Sequence, residues 1–431
     1  MQVRRCSAAP RRREVTAAVI YVGIDLGKRQ HAVCFMNEAG QPVAKPLRVP
    51  HTGRGLRQLH AQLASLSGPH QVIMEASGAH WMGIARKLRA AGVTVHIVNP
   101  LQTAGLRKVG IRKTKSDTKD ALVIADLARM GRARPSYVPD DQLLELRELE
   151  RFRWHLADQL GDAKRHVLGL LDKVFPEFAD HLGDPFGATG RALLNRCASA
   201  IEFAALELGD LEGWIRQASR QQLGRQRAEE LQAAAQDSLG LDCLGTAARL
   251  ELQALLAQIT LLEQQIATLD AELAGRLQAL PDYLLSVPGM AGLLAVTVLA
   301  ELGDVQRFDN VKQVVAFAGL DASVFESGDF HATRQHISKR GSPHLRRALY
   351  LAALSAIRTD PELAAYFQRK QAEGKAFRVA LIAVARKLLA RIYVVLRDQR
   401  PYAPPSPAQR VTSPSLAKPI TSDPDTFLTS P

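Results

Sequence analysis

The sequence predicts a mixed α/β domain in the N-terminal part of the chain and an all-α remainder. Short β-type apolar runs alternate with helical periodicity over residues 16–98, and long stretches of helical periodicity follow Pro135 and Pro139. A chain of 431 residues with 46% apolar content can bury a sizeable core and form two or three domains. We therefore expect a basic arm (1–15), an α/β domain (16–135), a helical region (136–280), a second helical domain (281–400) and a disordered tail rich in Pro, Ser and Thr (401–431).

The α/β domain has a definite predicted order of elements. Three strands (AVIYVGID, HAVCFMN and QPVAKPLRV) come first, and then helix (residues 53–66), strand (QVIME), helix (residues 80–91) and strand (VTVHIV). This is the order of a ribonuclease H-like domain, in which the first strand is central. That order would place Asp25 in mid-sheet and Glu75 on the neighbouring strand.

Long helices are predicted next. Apolar residues recur at helical spacing over Asp141–Val174, and a heptad-like series runs through residues 250–273. The repeat lasts about three heptads, the lower limit for a coiled coil. Pairing between two chains and a helical hairpin within one chain both fit this pattern.

The last domain combines a glycine turn with a basic cluster. Gly289 and Gly292 lie between two apolar segments, which fits either a helix-hairpin-helix that offers backbone N–H groups to a phosphate or a plain turn between helices. Ser342 and Pro343 predict a helix start. The surrounding basic residues suit a phosphate backbone: Arg334, Lys339, Arg340, Arg346 and Arg347. A final basic and apolar helix is predicted over residues 376–398.

Composition points to a polyanionic partner. The chain has 56 Lys and Arg against 43 Asp and Glu, a net charge of +13, and nucleic acid is the leading candidate. The four cysteines are scattered without zinc or disulfide spacing, which fits a reducing compartment. No apolar run reaches membrane-spanning length, and the basic N-terminus lacks the apolar core of a signal peptide. We expect a cytoplasmic, nucleoid-associated protein.

Four acidic residues carry the chemistry. Asp25 and Glu75 end predicted strands, and Asp117 and Asp120 lie one helical turn apart in a basic segment. Carboxylates that converge repel one another unless cations neutralise them, and oxygen ligands suit Mg²⁺ or Mn²⁺, with two ions stabilising both oxygens of a phosphodiester reaction. Interleaved basic residues would hold a nucleic-acid backbone nearby: Lys113, Lys115 and Lys119. For Asp117 and Asp120 alone, two solvated charges in the first turn of a helix fit equally well.

Both ends of the chain resemble transposases of the IS110 family. The resemblance rests on GIDLGKRQHA, MEASG and KTKSDTKDA at one end, and on VPGMAGLLAVTVLAELGD, AFAGL, SGDF and ISKRGSPHLRRALYLAAL at the other. It implies a RuvC-like domain whose metal-binding tetrad is Asp25, Glu75, Asp117 and Asp120, a coiled-coil insertion, and a C-terminal domain with Ser327 as nucleophile. It also implies DNA recombination at element ends and target, a structured guide RNA, and a dimer that forms a tetramer in the synapse.

The sequence leaves three alternative functions and one alternative nucleophilic serine to consider. GIDLGK also resembles the first phosphate loop of actin-like ATPases and sugar kinases, but the C-terminal half lacks a second strand-Asp-Gly phosphate loop. A RuvC-like nuclease that uses water, and a non-catalytic nucleic-acid-binding protein, are the other two. Ser77, directly followed by Gly78, rivals Ser327 on spacing, and the resemblance decides for Ser327. The segment before Ser327 departs from relatives that carry a proline near Ala322, which leaves the geometry of this loop less determined than the tetrad.

Overall fold

A computed structural model describes residues 18–107, 116–277, 282–322, 326–327, 330–331 and 336–404. The predicted basic arm and residues 405–431 of the predicted tail lie outside these described residues. The chain divides into two compact units, Met1–Val138 and Pro139–Pro431. Among the described helices, none combines the length and apolar character needed to cross a bilayer.

The first unit is a five-stranded mixed sheet with helices on both faces. Its elements are β1 (Ile20–Asp25), β2 (Gln30–Met36), β3 (Leu47–Pro50), α1 (Gly53–Ala64), β4 (His70–Glu75), α2 (His80–Ala90), β5 (Thr94–Val98), α3 (Pro100–Arg107) and α4 (Asp117–Arg129). The strand order is β3-β2-β1-β4-β5; β1 runs antiparallel to β2 and parallel to β4. The prediction of a central first strand is confirmed. The third strand is shorter than predicted, because Pro42 and Pro46 cannot donate to a ladder.

The two faces of the sheet have separate cores. Side chains such as Val22, Ile24 and Met74 pack beneath α1 and α2. On the opposite face, Ile73 packs against Ile124 of α4. Side chains alternate along a strand, so β1, β4 and β5 contribute to both cores.

The described residues of the second unit form helices and one short antiparallel pair of strands. Its elements are α5 (Asp141–Val174), α6 (Phe178–Leu182), α7 (Ala188–Leu194), α8 (Ala200–Ala204), α9 (Leu208–Ala218), α10 (Arg225–Gln236), α11 (Gly245–Leu277), α12 (Leu293–Leu302), α13 (Val311–Phe317), β6 (Glu326–Ser327), β7 (Phe330–His331), α14 (Pro343–Thr359), α15 (Pro361–Ala372) and α16 (Phe377–Asp398). An α/β part followed by a helical remainder is therefore confirmed.

The two long helices α5 and α11 pack against each other within one chain. At one end, Val167 and Leu170 of α5 share a core with Leu252 and Ile259 of α11 and with α6–α10. At the other end, Leu146 of α5 packs with Leu273 of α11 and with α12. Many apolar residues of the heptad-like segment thus have partners inside the chain, as the alternative of a helical hairpin expects, whereas Leu250 and Leu261 are exposed.

The last five helices form their own core around α14 and α16. Ser342 caps α14 by accepting a hydrogen bond from the Leu345 N–H at 3.1 Å, and Pro343 is the first helical residue, as predicted. Gly289 has φ +83°, and a Cβ at this position would lie 2.9 Å from the backbone nitrogen of Ala356. Glycine is therefore required here by close packing on α14 as well as by the turn.

A buried polar cluster joins α5, α12 and α14. The Glu150 side chain is fully buried and accepts a hydrogen bond from the Thr297 hydroxyl. Burial raises the pKa of Glu150 to about 7. Nearby, Glu301 accepts two hydrogen bonds from Arg151, at 2.7 and 3.1 Å, and one from the Ser342 hydroxyl at 2.8 Å. Burial alone would raise the pKa of Glu301, but the hydrogen bonds from Arg151 outweigh it and the pKa is lowered.

Candidate active site

Asp25 and Glu75 end neighbouring strands on the same face of the sheet. The parallel register pairs Ile24 with Met74, so the next residue on each strand is one of the two acids. Ile73, two residues before Glu75, packs beneath α4. Gly23, two residues before Asp25, also faces α4, because a Cβ there would lie 2.6 Å from the Ala125 nitrogen. Since side chains alternate, both acids point to the face that α4 covers.

The first turn of α4 lies over the end of β1 that carries Asp25. The thiol of Cys34 on β2 donates to the carbonyl oxygen of Thr118 at 3.4 Å. Ala32, the cross-strand partner of Asp25, packs with Ala121. Asp117 and Asp120 belong to this same turn. Asp117 is exposed and Asp120 is half-buried.

Ser116 fixes where α4 begins. Its side chain accepts a hydrogen bond from the Lys119 N–H at 3.4 Å, so the helix starts at Asp117 and both aspartates lie at its positive end. Lys119 is exposed on this turn. Lys113 and Lys115 lie outside the described residues.

Glu75 is buried, with 7% of its surface exposed, and it has a buried donor. The hydroxyl of Thr103 on α3 lies 2.6 Å from Glu75 Oε2 and also 2.9 Å from the Pro100 carbonyl oxygen. The hydroxyl can satisfy one carboxylate oxygen and orient the group. Sequence analysis missed Thr103 because neither α3 nor its contact with β4 has a local signal in the sequence.

The four carboxylates are neighbours by topology, but they do not form a complete coordination shell. Within the described residues, no three Asp, Glu, His or Cys side chains are arranged to hold a metal ion. The donor set itself, four carboxylates at one edge of a sheet, suits a hard divalent cation.

Ser327 lies in the second unit, on the short pair of strands. It belongs to β6 and pairs with Phe330 of β7. The chain on either side is joined by a bridge between Ala322 and Ile337 and by a hydrogen bond from the Ser338 N–H to the Asp321 carbonyl oxygen at 2.8 Å. Ser327 therefore lies on a short antiparallel pair, and these two contacts join the chain on either side of it. Arg334, in the same segment, lies outside the described residues.

The basic cluster at the start of α14 divides into exposed and engaged residues. Lys339 and Arg340 are exposed. Arg346 donates to the carbonyl oxygens of Ala318 and Gly341, at 3.1 and 2.9 Å, and burial lowers the pKa of Arg346. These bonds tie α14 to the segments on either side of β6 and β7, a role that the sequence pattern does not reveal.

The partners of Arg347 are also within the chain. Its guanidinium lies 2.7 Å from an Asp158 carboxylate oxygen and 4.2 Å from the ring centroid of Trp154. The binding of nucleic acid by Arg346 and Arg347 stays a prediction. It requires each arginine to contact a phosphate in addition to its partner inside the chain, or in place of that partner.

The glycine turn before α12 does not join two full helices. The segment before it is a five-residue 3₁₀ turn, Asp282–Ser286. Gly292 has φ +47°, and a Cβ there would meet nothing within 4 Å. Its backbone is therefore the more accessible of the two glycines, while Gly289 packs on α14.

Comparison with known proteins extends over almost the whole described chain. Residues 22–176 match the DEDD transposase model of the IS110 family, and residues 282–368 match the model described as transposase IS116/IS110/IS902 family. A transposase domain of the DEDD type implies the use of divalent metal ions and a DNA substrate.

Similar proteins share this organisation over nearly their full length. The 43.6 kDa protein of insertion element IS110 from Streptomyces coelicolor is 27% identical, over 90% of this chain and 96% of its own. The transposase for insertion sequence element IS1111A from Coxiella burnetii is 23% identical over 93% and 96%. The pilin gene-inverting protein from Moraxella lacunata is 24% identical over 89% and 97%. With both family models in this order and such coverage, the chain belongs to the IS110 family of transposases, enzymes that act on DNA strands.

Proposed function

We propose that the protein is a site-specific DNA recombinase that cuts and rejoins strands through Ser327, with a metal site formed by Asp25, Glu75, Asp117 and Asp120. The observation that carries the proposal is the common location of the acids. Two end adjacent strands on one face, and two lie in the helical turn above that face. We infer a ribonuclease H-like, RuvC-like fold for this unit from the strand order and the DEDD match.

The carboxylates would hold Mg²⁺ or Mn²⁺, two ions in our proposal, and such ions stabilise the attacking and leaving oxygens of a phosphodiester. Thr103 would keep Glu75 oriented, and the α4 N-terminus would bring Asp117 and Asp120 to the sheet. The basic residues Lys113, Lys115 and Lys119 would hold the DNA backbone beside this edge.

Ser327 would act as the nucleophile. Its hydroxyl gives up its proton as Oγ forms a bond to phosphorus, the bond between phosphorus and one strand oxygen breaks, that oxygen takes up a proton, and the strand remains linked as a phosphoserine. A second strand oxygen then attacks the same phosphorus and releases the serine. Because the phosphoester is conserved, rejoining needs no nucleotide cofactor.

Partners follow from the same proposal. DNA at the element ends and the target would contact Lys339, Arg340 and Gly292 of the helix-hairpin-helix-like turn. Arg346 and Arg347 would contact it after exchange of their internal partners. Arg334 and Gly289 complete the proposed set of DNA-binding residues. A structured guide RNA would supply sequence recognition by base pairing. We propose dimers through a coiled-coil contact, tetramers in the synapse, and a cytoplasmic location at the nucleoid.

The test is a covalent adduct. The protein is incubated with element-end DNA, candidate RNA and Mg²⁺, then denatured, and the DNA-linked peptide is identified by mass spectrometry. The adduct should map to Ser327, disappear in Ser327→Ala, and persist in the control Ser77→Ala. Asp25→Asn should abolish cleavage but retain nucleic-acid binding.

Two results would contradict parts of the proposal. Continued strand cleavage by Ser327→Ala would indicate a nuclease that uses water. Full cleavage by Asp25→Asn would remove Asp25 from the metal site.

A further inference from the structure

A cavity of about 200 Å³ lies between α1, α2 and the sheet, on the face opposite α4. Its walls are mainly apolar and its mouth is polar. The wall and mouth residues are Ile24, Val33, Val49, Leu56, Leu59 and Ile84, with His31, His51, Thr52, Gly83 and Lys87. The proposed metal site uses none of these residues. A concave, mostly apolar pocket with a few polar groups is typical of a ligand site.

His31 gives this cavity a buried polar group that can form a further hydrogen bond. Only 3% of its surface is exposed. Its Nε2 lies 2.9 Å from His51 Nδ1, whereas its own Nδ1 is buried and has no hydrogen-bond partner among the described residues. Burial, with the nearby charges of His51 and His80, lowers the pKa of His31 to about 4, so the ring is neutral at pH 7. An unsatisfied buried ring nitrogen is costly unless a ligand completes it.

Gly83 is a second, independent feature. It lies within α2 and lines the cavity, and a Cβ built there would meet nothing within 4 Å. Glycine inside a helix costs about 1 kcal/mol relative to alanine, and no protein neighbour requires it here. Gly83 is exposed, so a larger side chain at this lining position has room on the α2 side of the cavity.

The two helices that flank the cavity carry basic and no acidic residues. Helices α1 and α2 carry Arg54, Arg57, Arg86, Lys87 and Arg89 and contain no Asp or Glu. Lys87 lines the cavity. The guanidinium of Arg57 reaches the wall residue Gly53, where a Cβ would lie 3.7 Å from its Nη1. An anionic ligand is therefore favoured at the mouth.

Two further imidazoles border the mouth. The ring centroids of His51 and His31 are 5.0 Å apart, and those of His51 and His80 are 5.4 Å apart. His51 is exposed and His80 is half-buried. Histidine rings can stack on nucleobases. In the described part of the chain these imidazoles are not arranged as a three-ligand metal site.

We propose that this cavity binds an unstacked nucleobase of a single-stranded polynucleotide, with the flanking phosphates on Arg54, Arg57 and Lys87. The base would enter the apolar cavity, stack at its mouth on an imidazole, and use an edge group to pair with His31 Nδ1. Apolar walls with a flanking cationic surface match a base and its backbone. The proposal adds a second nucleic-acid surface to a transposase, and it does not depend on Ser327 or the tetrad.

The test adds a bulky side chain to the cavity lining without removing a charge. Full-length Gly83→Leu is compared with Gly213→Leu, a matched control inside α9 where an added Cβ also meets nothing within 4 Å. Affinity is measured by fluorescence anisotropy with a 12-nucleotide oligouridine RNA and an oligothymidine DNA. We expect Gly83→Leu to weaken binding about tenfold, the scale of one lost base-stacking contact, and Gly213→Leu to leave it unchanged.

A crosslink locates the base, and the two probes identify the polynucleotide. 4-Thiouridine or 4-thiothymidine should crosslink to peptides containing His31, His51 or Gly83. A larger loss with one probe assigns the site to RNA or to DNA.

Equal affinities of Gly83→Leu and Gly213→Leu for both probes, or crosslinks confined to other segments, would overturn the proposal. Thermal unfolding of each variant checks that it is folded. Because the readout is binding, an absent Ser327 adduct would count against the recombinase mechanism and leave this result intact.

Discussion

Glu150 should make the stability of the second unit depend on pH in a predictable direction. In the folded chain, burial raises the pKa of Glu150 from 4.5 to about 7. Between these values the native state holds a proton that the unfolded state has released. Stability contributed by this group is therefore present below pH 4.5 and is lost as pH rises to about 7. At about 1.4 kcal/mol per pKa unit, the loss is about 3 kcal/mol.

The perturbation is Glu150→Gln, which cannot ionise and keeps a carbonyl oxygen for the Thr297 hydroxyl. Urea unfolding is followed by intrinsic tryptophan fluorescence, to which Trp154 and Trp214 of the second unit contribute, from pH 4.5 to 8. The free energy of unfolding of the variant minus that of the original chain should increase by about 3 kcal/mol across this range. Glu148→Gln, at an exposed position on the same helix, is the control for loss of one charge.

Taking the difference between two chains cancels the titration of all other groups that the substitution leaves unchanged. A constant offset between the two profiles would be explained by the new amide alone. Profiles that stay parallel from pH 4.5 to 8 would refute the argument that Glu150 is protonated in the folded state.

Two further substitutions test the first unit. Gly23→Val should destabilise it by about 3 kcal/mol or more, because the added side chain meets the backbone of α4; Gly105→Ala, where a Cβ meets nothing within 4 Å, should be near neutral in the same urea titration. Thr103→Val should cost about 1–3 kcal/mol by removing the hydroxyl that donates to buried Glu75, and it should lower strand cleavage, whereas Thr103→Ser should restore both; equal cleavage by all three chains would show that Thr103 has no role at the site.

Local pattern was enough to predict the sheet, because strand runs and helical runs differ in period. It also placed Asp25 and Glu75 at strand ends, since the apolar runs stop at these residues. Local pattern could not predict contacts between segments that are far apart in the sequence. A glutamate in a helical segment, such as Glu150, has the pattern of a solvent-exposed residue, and its partner Thr297 lies 147 residues away.

Similar limits applied to the helices and the basic cluster. The apolar stripe of α11 is the same whether its partner is α5 of its own chain or another chain, so sequence left both possibilities open. Arginines beside a helix start suggest phosphate binding, but Arg346 is used on two backbone carbonyl oxygens instead. The role of Arg346 depends on which backbone segments pack against it, and the spacing of residues in the sequence does not reveal this.

The pair of long helices has a consequence for scale. With 34 residues, α5 extends about 50 Å at 1.5 Å per residue. Leu146 lies in the core shared with α12 and Val167 in the core shared with α6–α10, so 167 − 146 residues of helix, about 30 Å, separate the two cores. On a DNA duplex, at about 3.4 Å per base pair, this distance corresponds to about 9 base pairs. The number of residues between the two cores thus sets their spacing along α5, on the scale of roughly one turn of duplex DNA.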